Sequence, residues 1–216
     1  MTFFGKSPER TAALPGAPSA NPVLVWGGNV IRRAIDLAIA IPGLILLSPA
    51  IGIAALAVRL DSPGGAIYRQ PRVGRNGEVF EVFKLRTMFA GNDPIGVGTA
   101  VTEGDPRVTR AGRWLRRFSV DEFPNLVNVI RGEMSIVGPR PTIPAQVELY
   151  DPRQRRRLEV KPGITGWAQV NGRAGIPWEE RIELDVYYIE HRSLALDLRI
   201  LARTARLLLT GHGLHG

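Results

Sequence analysis

"LAIAIPGLILLSPAIGIAALAV", residues 37–58, carries no charged side chain, and its placement decides how the rest of the chain is arranged. At about 1.5 Å per residue, a helix of that length reaches roughly 33 Å, close to the hydrocarbon thickness of a bilayer. The flanking charge argues against a simple crossing. Arg32 and Arg33 precede the run, while Arg59, Arg69, Arg72 and Arg75 follow it, and basic flanks keep to the cytoplasmic side. Both ends therefore favour one side, which a helix that enters the bilayer and returns would satisfy. Pro42-Gly43 and Ser48-Pro49 offer bends, because proline removes a backbone donor and a serine hydroxyl can satisfy the groups that a kink frees. Ser48 and Pro49 lie nearer the centre and are expected to form the membrane bend. A fully buried core helix and an ordinary spanning helix are the alternatives.

The composition predicts a polyanionic partner. Lys and Arg number 28 against 20 Asp and Glu, giving a net charge of +8 in 216 residues and an isoelectric point near 10.7. Nucleic acid, anionic lipid and phosphorylated substrates all suit such a charge. The absence of cysteine excludes disulfides, thiolate chemistry and cysteine zinc sites. The three histidines are His191, His212 and His215, and they form no His-x-x-x-His pair, which argues against a histidine-rich metal site.

Residues 1–28 hold Pro8, Pro15, Pro18 and Pro22 among alanines and glycines, a composition expected to remain a flexible tail. They lack the order of a signal peptide, so export is not expected. After the apolar run, "AIYRQPRVGRNGEVFEVFKLRTM" alternates apolar and polar residues around Asn76-Gly77, predicting a β-hairpin that ends near Lys84 and Arg86. The turn formers between Asn92 and Gly104 predict a loop, a candidate lid. Arg107, Arg110, Arg113, Arg116 and Arg117 crowd the next segment. In "VGPRPTIPAQVELY" Arg140 stands between two prolines ahead of a helix, where backbone N–H groups and a guanidinium could converge on a phosphate. The C-terminal "SLALDLRILARTARLLLTG" sets leucines at helical spacing with arginines between them, as in an interfacial helix on anionic lipid or an amphipathic core helix.

"SVDEFPNLVNV", residues 119–129, places two adjacent acids beyond the arginine cluster. Ser119 and Glu122 fit a capping box, so Asp121 and Glu122 have a purely structural reading as well as a chemical one.

Together, "RRAIDL", "YRQPRVGRNGEVFEVFKLRTM", "DPRVTRAGRWLRRFSVDEFPNLVNVIRGEMSIVGPRP" and "VKPGITGWAQVNGR" make the chain similar to the bacterial sugar transferase family, the monotopic polyprenol-phosphate phosphoglycosyl transferases. The likeness runs from about Ile31 to Thr210. It implies an α+β fold, mostly helical, with a re-entrant helix and a small antiparallel hairpin. The chain would divide into a tail at 1–28, the membrane helix at 29–60, a cytoplasmic catalytic domain with interfacial helices at 61–211 and a tail at 212–216. It also implies two substrates, a nucleotide diphosphate sugar (usually a UDP-sugar) and polyprenol phosphate, with Mg²⁺ as cofactor, in the first membrane step of exopolysaccharide or other glycan assembly.

By the same resemblance Asp121 is the nucleophile that carries the phosphosugar, and Glu122 helps hold Mg²⁺ or takes a proton from the acceptor. Both acids are the candidate metal ligands. Arg140 is the foremost candidate to clamp the diphosphate, with Lys84, Arg86 and Arg173 behind it. The helical turn and the neighbouring arginines are expected to lower the Asp121 pKa. The expected site is the cytoplasmic leaflet of the bacterial inner membrane, and a homodimer is left open. The rival readings are a non-catalytic, membrane-tethered basic scaffold on anionic lipid and a nucleic-acid-binding domain. The uncharged run argues against nucleic acid.

Overall fold

The computed structural model describes residues 22–92, 104–172 and 176–210. Helix α1, Pro22–Asp61, runs as one helix through both prolines. It begins at Pro22 rather than at Asn29, so part of the expected tail is helical. A hairpin follows, β1 Ile67–Val73 and β2 Val79–Leu85, then α2 Arg110–Arg117, α3 Asn125–Arg131, β3 Ser135–Val137, α4 Pro144–Glu148 and α5 Pro152–Arg155. The chain closes with β4 Gly163–Thr165, α6 Trp167–Asn171, α7 Trp178–Glu190 and α8 Leu194–Thr210. This is a mostly helical α+β fold.

Helix α1 organises the packing. Asp36, Ala40, Ala54 and Val58 are buried on it, with Leu44, Leu47, Ile51 and Ala55 half-buried between them, a stripe at helical spacing. The stripe joins two cores. Ala40 meets Val82, Val129, Met134 and Ile200, whereas Ala54 and Val58 meet Ala66, Leu85 and Leu115. Each large buried aliphatic side chain there contributes about 1.5–3 kcal/mol. The opposite face of α1 is exposed and apolar, with Leu46 77% and Leu60 79% exposed, far more than a water-facing helix ordinarily shows. Asn29–Asp61 is long and apolar enough to cross a membrane.

The polar residues of "RRAID" clamp α1 to the body. Arg33 donates to the carbonyls of Val129 at 2.6 Å and Ile130 at 2.7 Å, at the end of α3 where helical donors run out; Val129 O also accepts from the Gly132 N–H at 3.0 Å. Asp36 accepts from Ser135 Oγ at 2.9 Å and from the Ile136 N–H at 2.8 Å. Arg32 pairs with Asp197 of α8 at 2.7 Å. Midway along α1, Ser48 Oγ donates to Ile45 O at 2.8 Å, the carbonyl whose normal helical donor is lost at Pro49.

The hairpin pairs as its Asn-Gly signal predicts, with Tyr68 opposite Lys84 and Arg72 opposite Phe80. Asn76 takes φ 59° and Gly77 φ 83° at the turn. A second sheet, absent from the expected architecture, pairs β3 with β4 in parallel. Its strands are too short to show periodicity. It brings "VGPRP" against "KPGITG", and glycine is required there: a Cβ on Gly163 would stand 2.1 Å from the Gly138 nitrogen.

The capping box at Ser119 does not form. Ser119 lies at φ 54°, ψ 23°, and its side chain caps nothing. Its N–H bonds instead to Arg116 O at 3.1 Å, so the residue closes α2 in the left-handed position that often ends helices. Ending one helix takes precedence over starting the next, and Val120–Glu122 form only a 3-10 turn.

Candidate functional site

Asp121 and Glu122 sit in that tight turn between α2 and α3. Val120 packs into the second core and anchors the turn from below. A left-handed serine costs roughly 1–3 kcal/mol, which the surrounding packing must over-determine. Asn128 of α3 fixes β2 beside the turn. Wholly buried, it accepts from the Phe83 N–H at 3.1 Å and donates to Glu81 O at 2.6 Å and Glu133 Oε2 at 2.7 Å. This bracket sets Lys84, the next residue along β2, against Glu122.

Arg140 arrives from the other side, on the segment after β3. Backbone bonds from Gly138 N to Thr165 O at 2.9 Å and from Gly163 N to Pro139 O at 2.8 Å hold that segment against β4. Buried Arg157 donates to Arg140 O at 3.3 Å while pairing with buried Asp185 at 2.6 Å. Pro144 opens α4 at its first turn, in the position expected from sequence.

One carboxylate oxygen gathers the two cations. Glu122 Oε1 lies 2.9 Å from Lys84 Nζ and 2.6 Å from Arg140 Nη2. Burial alone would raise the Glu122 pKa, but Arg140 and then Lys84 outweigh it and hold the group well below the usual carboxylate range. The Glu122 charge in turn raises the Arg140 pKa.

Asp121 behaves oppositely. Burial first, and the Glu122 charge second, push its carboxyl up to about 6, against weaker opposition from Lys84, Arg116 and Arg140. The expected lowering is thus reversed, because burial and the adjacent Glu122 charge outweigh the neighbouring cations. No hydrogen bond or ion pair reaches the Asp121 side chain among the described residues. The adjacent acids therefore differ: Glu122 is ionised and engaged, whereas Asp121 has no hydrogen-bond or ion-pair partner among the described residues.

The structure brings Lys84, Glu122 and Arg140 into one shallow cleft, which Arg72, Asn125 and Pro141 also line. Arg86 is not among the lining residues. It is buried and donates to Gly65 O at 2.7 Å, Ser62 Oγ at 2.8 Å and Ser62 O at 2.9 Å, which ties the chain leaving α1 to the end of β2. Arg173 and the candidate lid at 93–103 lie outside the described residues.

Sequence reasoning missed two polar cleft residues, Arg72 and Asn125. Arg72 is predictable in hindsight from strand alternation, which places it on the hairpin face that carries Lys84. Asn125 is buried with its Oδ1 unpaired, and no sequence signal marks it. For a metal, Asp121 and Glu122 are the acids available, and no group of three or more metal-binding side chains exists among the described residues. Two adjacent carboxylates suit Mg²⁺ shared with substrate phosphates better than an all-protein cage.

Comparison with known proteins places the chain in a family. The family described as bacterial sugar transferase matches residues 27–211. The chain is 42% identical over 185 residues to the uncharacterized sugar transferase EpsL of Bacillus subtilis, covering 86% of this chain and 90% of that one. It is 42% identical over 215 residues to a UDP-glucose:undecaprenyl-phosphate glucose-1-phosphate transferase of Caulobacter vibrioides, covering 96% and 79%. It is 39% identical over 189 residues to a UDP-N-acetylgalactosamine-undecaprenyl-phosphate N-acetylgalactosaminephosphotransferase of Aeromonas hydrophila, covering 85% of this chain but only 44% of the relative. With the family profile spanning most of its length, the chain belongs to the bacterial sugar transferase family.

Proposed function

We propose that this enzyme, a phosphoglycosyl transferase, moves a sugar 1-phosphate from a UDP-sugar to polyprenol phosphate at the cytoplasmic face of the bacterial inner membrane. The products are a polyprenyl diphosphate sugar and UMP, opening exopolysaccharide or related glycan assembly. The observation that carries the reading is Asp121, without a hydrogen-bond or ion-pair partner among the described residues, beside a Glu122 that holds Lys84 and Arg140. The Caulobacter and Aeromonas relatives are both named for undecaprenyl phosphate but for different sugars, so we take that lipid as the acceptor and the sugar as the variable part.

In this reading an Asp121 carboxylate oxygen attacks the β-phosphorus. The bond from that phosphorus to the bridging oxygen breaks, and UMP departs with the electron pair. The phosphosugar remains on Asp121 as an acyl phosphate until an oxygen of polyprenol phosphate displaces the carboxylate. Splitting one displacement into two is what a covalent nucleophile contributes. Lys84 and Arg140 neutralise charge gathering on the diphosphate. A carboxylate with a pKa as depressed as that of Glu122 is a weak base, so we assign it to holding cations rather than to taking the acceptor proton. Mg²⁺, held by Asp121 and Glu122 when bound, would supply further charge neutralisation at the diphosphate.

The acceptor headgroup stays at the membrane surface, which accounts for an anchored catalytic domain. We propose that α1 enters and leaves the bilayer from the cytoplasmic side with its bend at Ser48 and Pro49, and that α8 rests at the interface. The test is UMP release from a panel of UDP-sugars with polyprenol phosphate, for wild type and Asp121→Asn. Release by wild type and loss in the variant support the reading. A wild type that binds membranes and releases no UMP would instead be the basic scaffold.

A further inference from the structure

Arg72 is the cation of the cleft that the reaction scheme leaves without a task. Strand pairing sets it opposite Phe80, and sets Tyr68 opposite Lys84. Since alternate residues share a face, Arg72 and Lys84 project from the same side of the hairpin, and both line the cleft with Arg140 and Glu122.

Its partners differ from theirs. Arg72 donates to Pro141 O at 3.1 Å and to Gln70 Oε1 at 2.6 Å, both neutral acceptors, and it forms no ion pair among the described residues. Lys84 and Arg140, by contrast, already share Glu122 Oε1. Burial first, and repulsion from Arg140 second, lower the Arg72 pKa to about 10, so the charged form is held at a cost. Arg72 is half-buried, and the Glu122 charge offsets only part of the cost of holding it charged; such a charge is unfavourable unless something supplies a close counter-ion. A guanidinium has five N–H donors in a planar fork, and two hydrogen bonds leave donors for a phosphate, which such a fork grips bidentately. Pro141 directly follows Arg140, so the contact with Pro141 O also ties the two cations into one frame.

We propose that Arg72 is a phosphate ligand of this cleft, the uncommitted cation that a substrate's phosphoryl group meets while Lys84 and Arg140 are still bound to Glu122. This deepens the proposed function and rests on it for the identity of the phosphate, which belongs to the nucleotide diphosphate or to the prenyl phosphate.

The test uses the full chain in lipid nanodiscs and measures equilibrium binding without turnover, so it stands apart from any failure to release UMP. UDP is titrated in one arm and a short-chain prenyl phosphate in the other, for wild type, Arg72→Gln and Arg72→Lys. We expect Arg72→Gln to weaken the affected arm by about 10- to 100-fold, as for a lost hydrogen bond to a charged group, with a shallower salt dependence. Arg72→Lys should recover part of the loss, which a purely structural role would not produce. The weakened arm identifies the source of the phosphate. Equal dissociation constants for wild type and Arg72→Gln in both arms overturn the proposal. If Arg72→Gln does not fold, arginine-selective dicarbonyl labelling of the wild type replaces it. Protection of Arg72 by either phosphate supports the proposal, and an unchanged labelling rate overturns it.

Discussion

Glu122 Oε1 and Arg140 Nη2 meet at 2.6 Å, across the gap between the acidic turn and the segment after β3. The second acid of the pair thus holds a cation that the proposed chemistry needs at phosphate. Glu122→Gln should free both Arg140 and Lys84. We expect UDP to bind the variant about three- to tenfold more tightly, the scale of a partly exposed ion pair, while UMP release falls by about 10²-fold or more because the cations are no longer held in place. Calorimetric binding and a turnover assay check the two effects, and weaker UDP binding would contradict the account.

Asp121 gives a pH signature. With its pKa near 6, the carboxylate that attacks is lost as pH falls through about 6, so kcat/KM should decline there rather than near 4. Stability moves the other way. The folded-state value lies above the ordinary 3.8, so the native state binds the proton more tightly between the two values, and stability falls as pH rises through that window. Asp121→Asn should therefore raise the melting temperature at neutral pH by roughly 2–4 °C, the equivalent of about 1 kcal/mol in a domain this size. The gain should shrink toward pH 4. Scanning calorimetry at both pH values checks it.

Arg86 should separate structure from binding. Its donors serve Ser62 and Gly65, so Arg86→Met leaves buried acceptors unpaired, at about 1–3 kcal/mol each. The expected result is a lower melting temperature with an unchanged KM for the nucleotide sugar in the protein that folds. A raised KM with intact stability would instead return Arg86 to the substrate-binding group.

Some of this was readable before any coordinates. Asn76-Gly77 specifies a hairpin because few other residue pairs accept two left-handed dihedrals in succession. Arg140 between prolines is legible for a similar reason, since backbone rigidity is written into the residue types. Ser119 was not, because two helix ends compete for one residue and the winner depends on where α2 stops. The Asp121 pKa was not legible either. Sequence counts nearby cations, but only geometry shows that burial and the Glu122 charge outweigh them. Arg72 was missed: strand alternation puts it on the Lys84 face, but its place beside a long apolar run makes it look like one more basic flank of a membrane helix.

The absence of cysteine makes the topology directly measurable. Val30 is 54% and Leu60 79% exposed near the two ends of the apolar run. Single Val30→Cys and Leu60→Cys variants should both react with an impermeant maleimide from the cytoplasmic side of oriented vesicles. Labelling from opposite sides would mean that α1 spans the bilayer without a bend.

The most direct test of the central claim is intact-protein and peptide mass spectrometry of enzyme quenched in acid after exposure to a UDP-sugar without acceptor. The account predicts a mass increase of one phosphosugar on the peptide holding Asp121, absent in Asp121→Asn and discharged by polyprenol phosphate. Turnover with no adduct, or an adduct on another side chain, would contradict it.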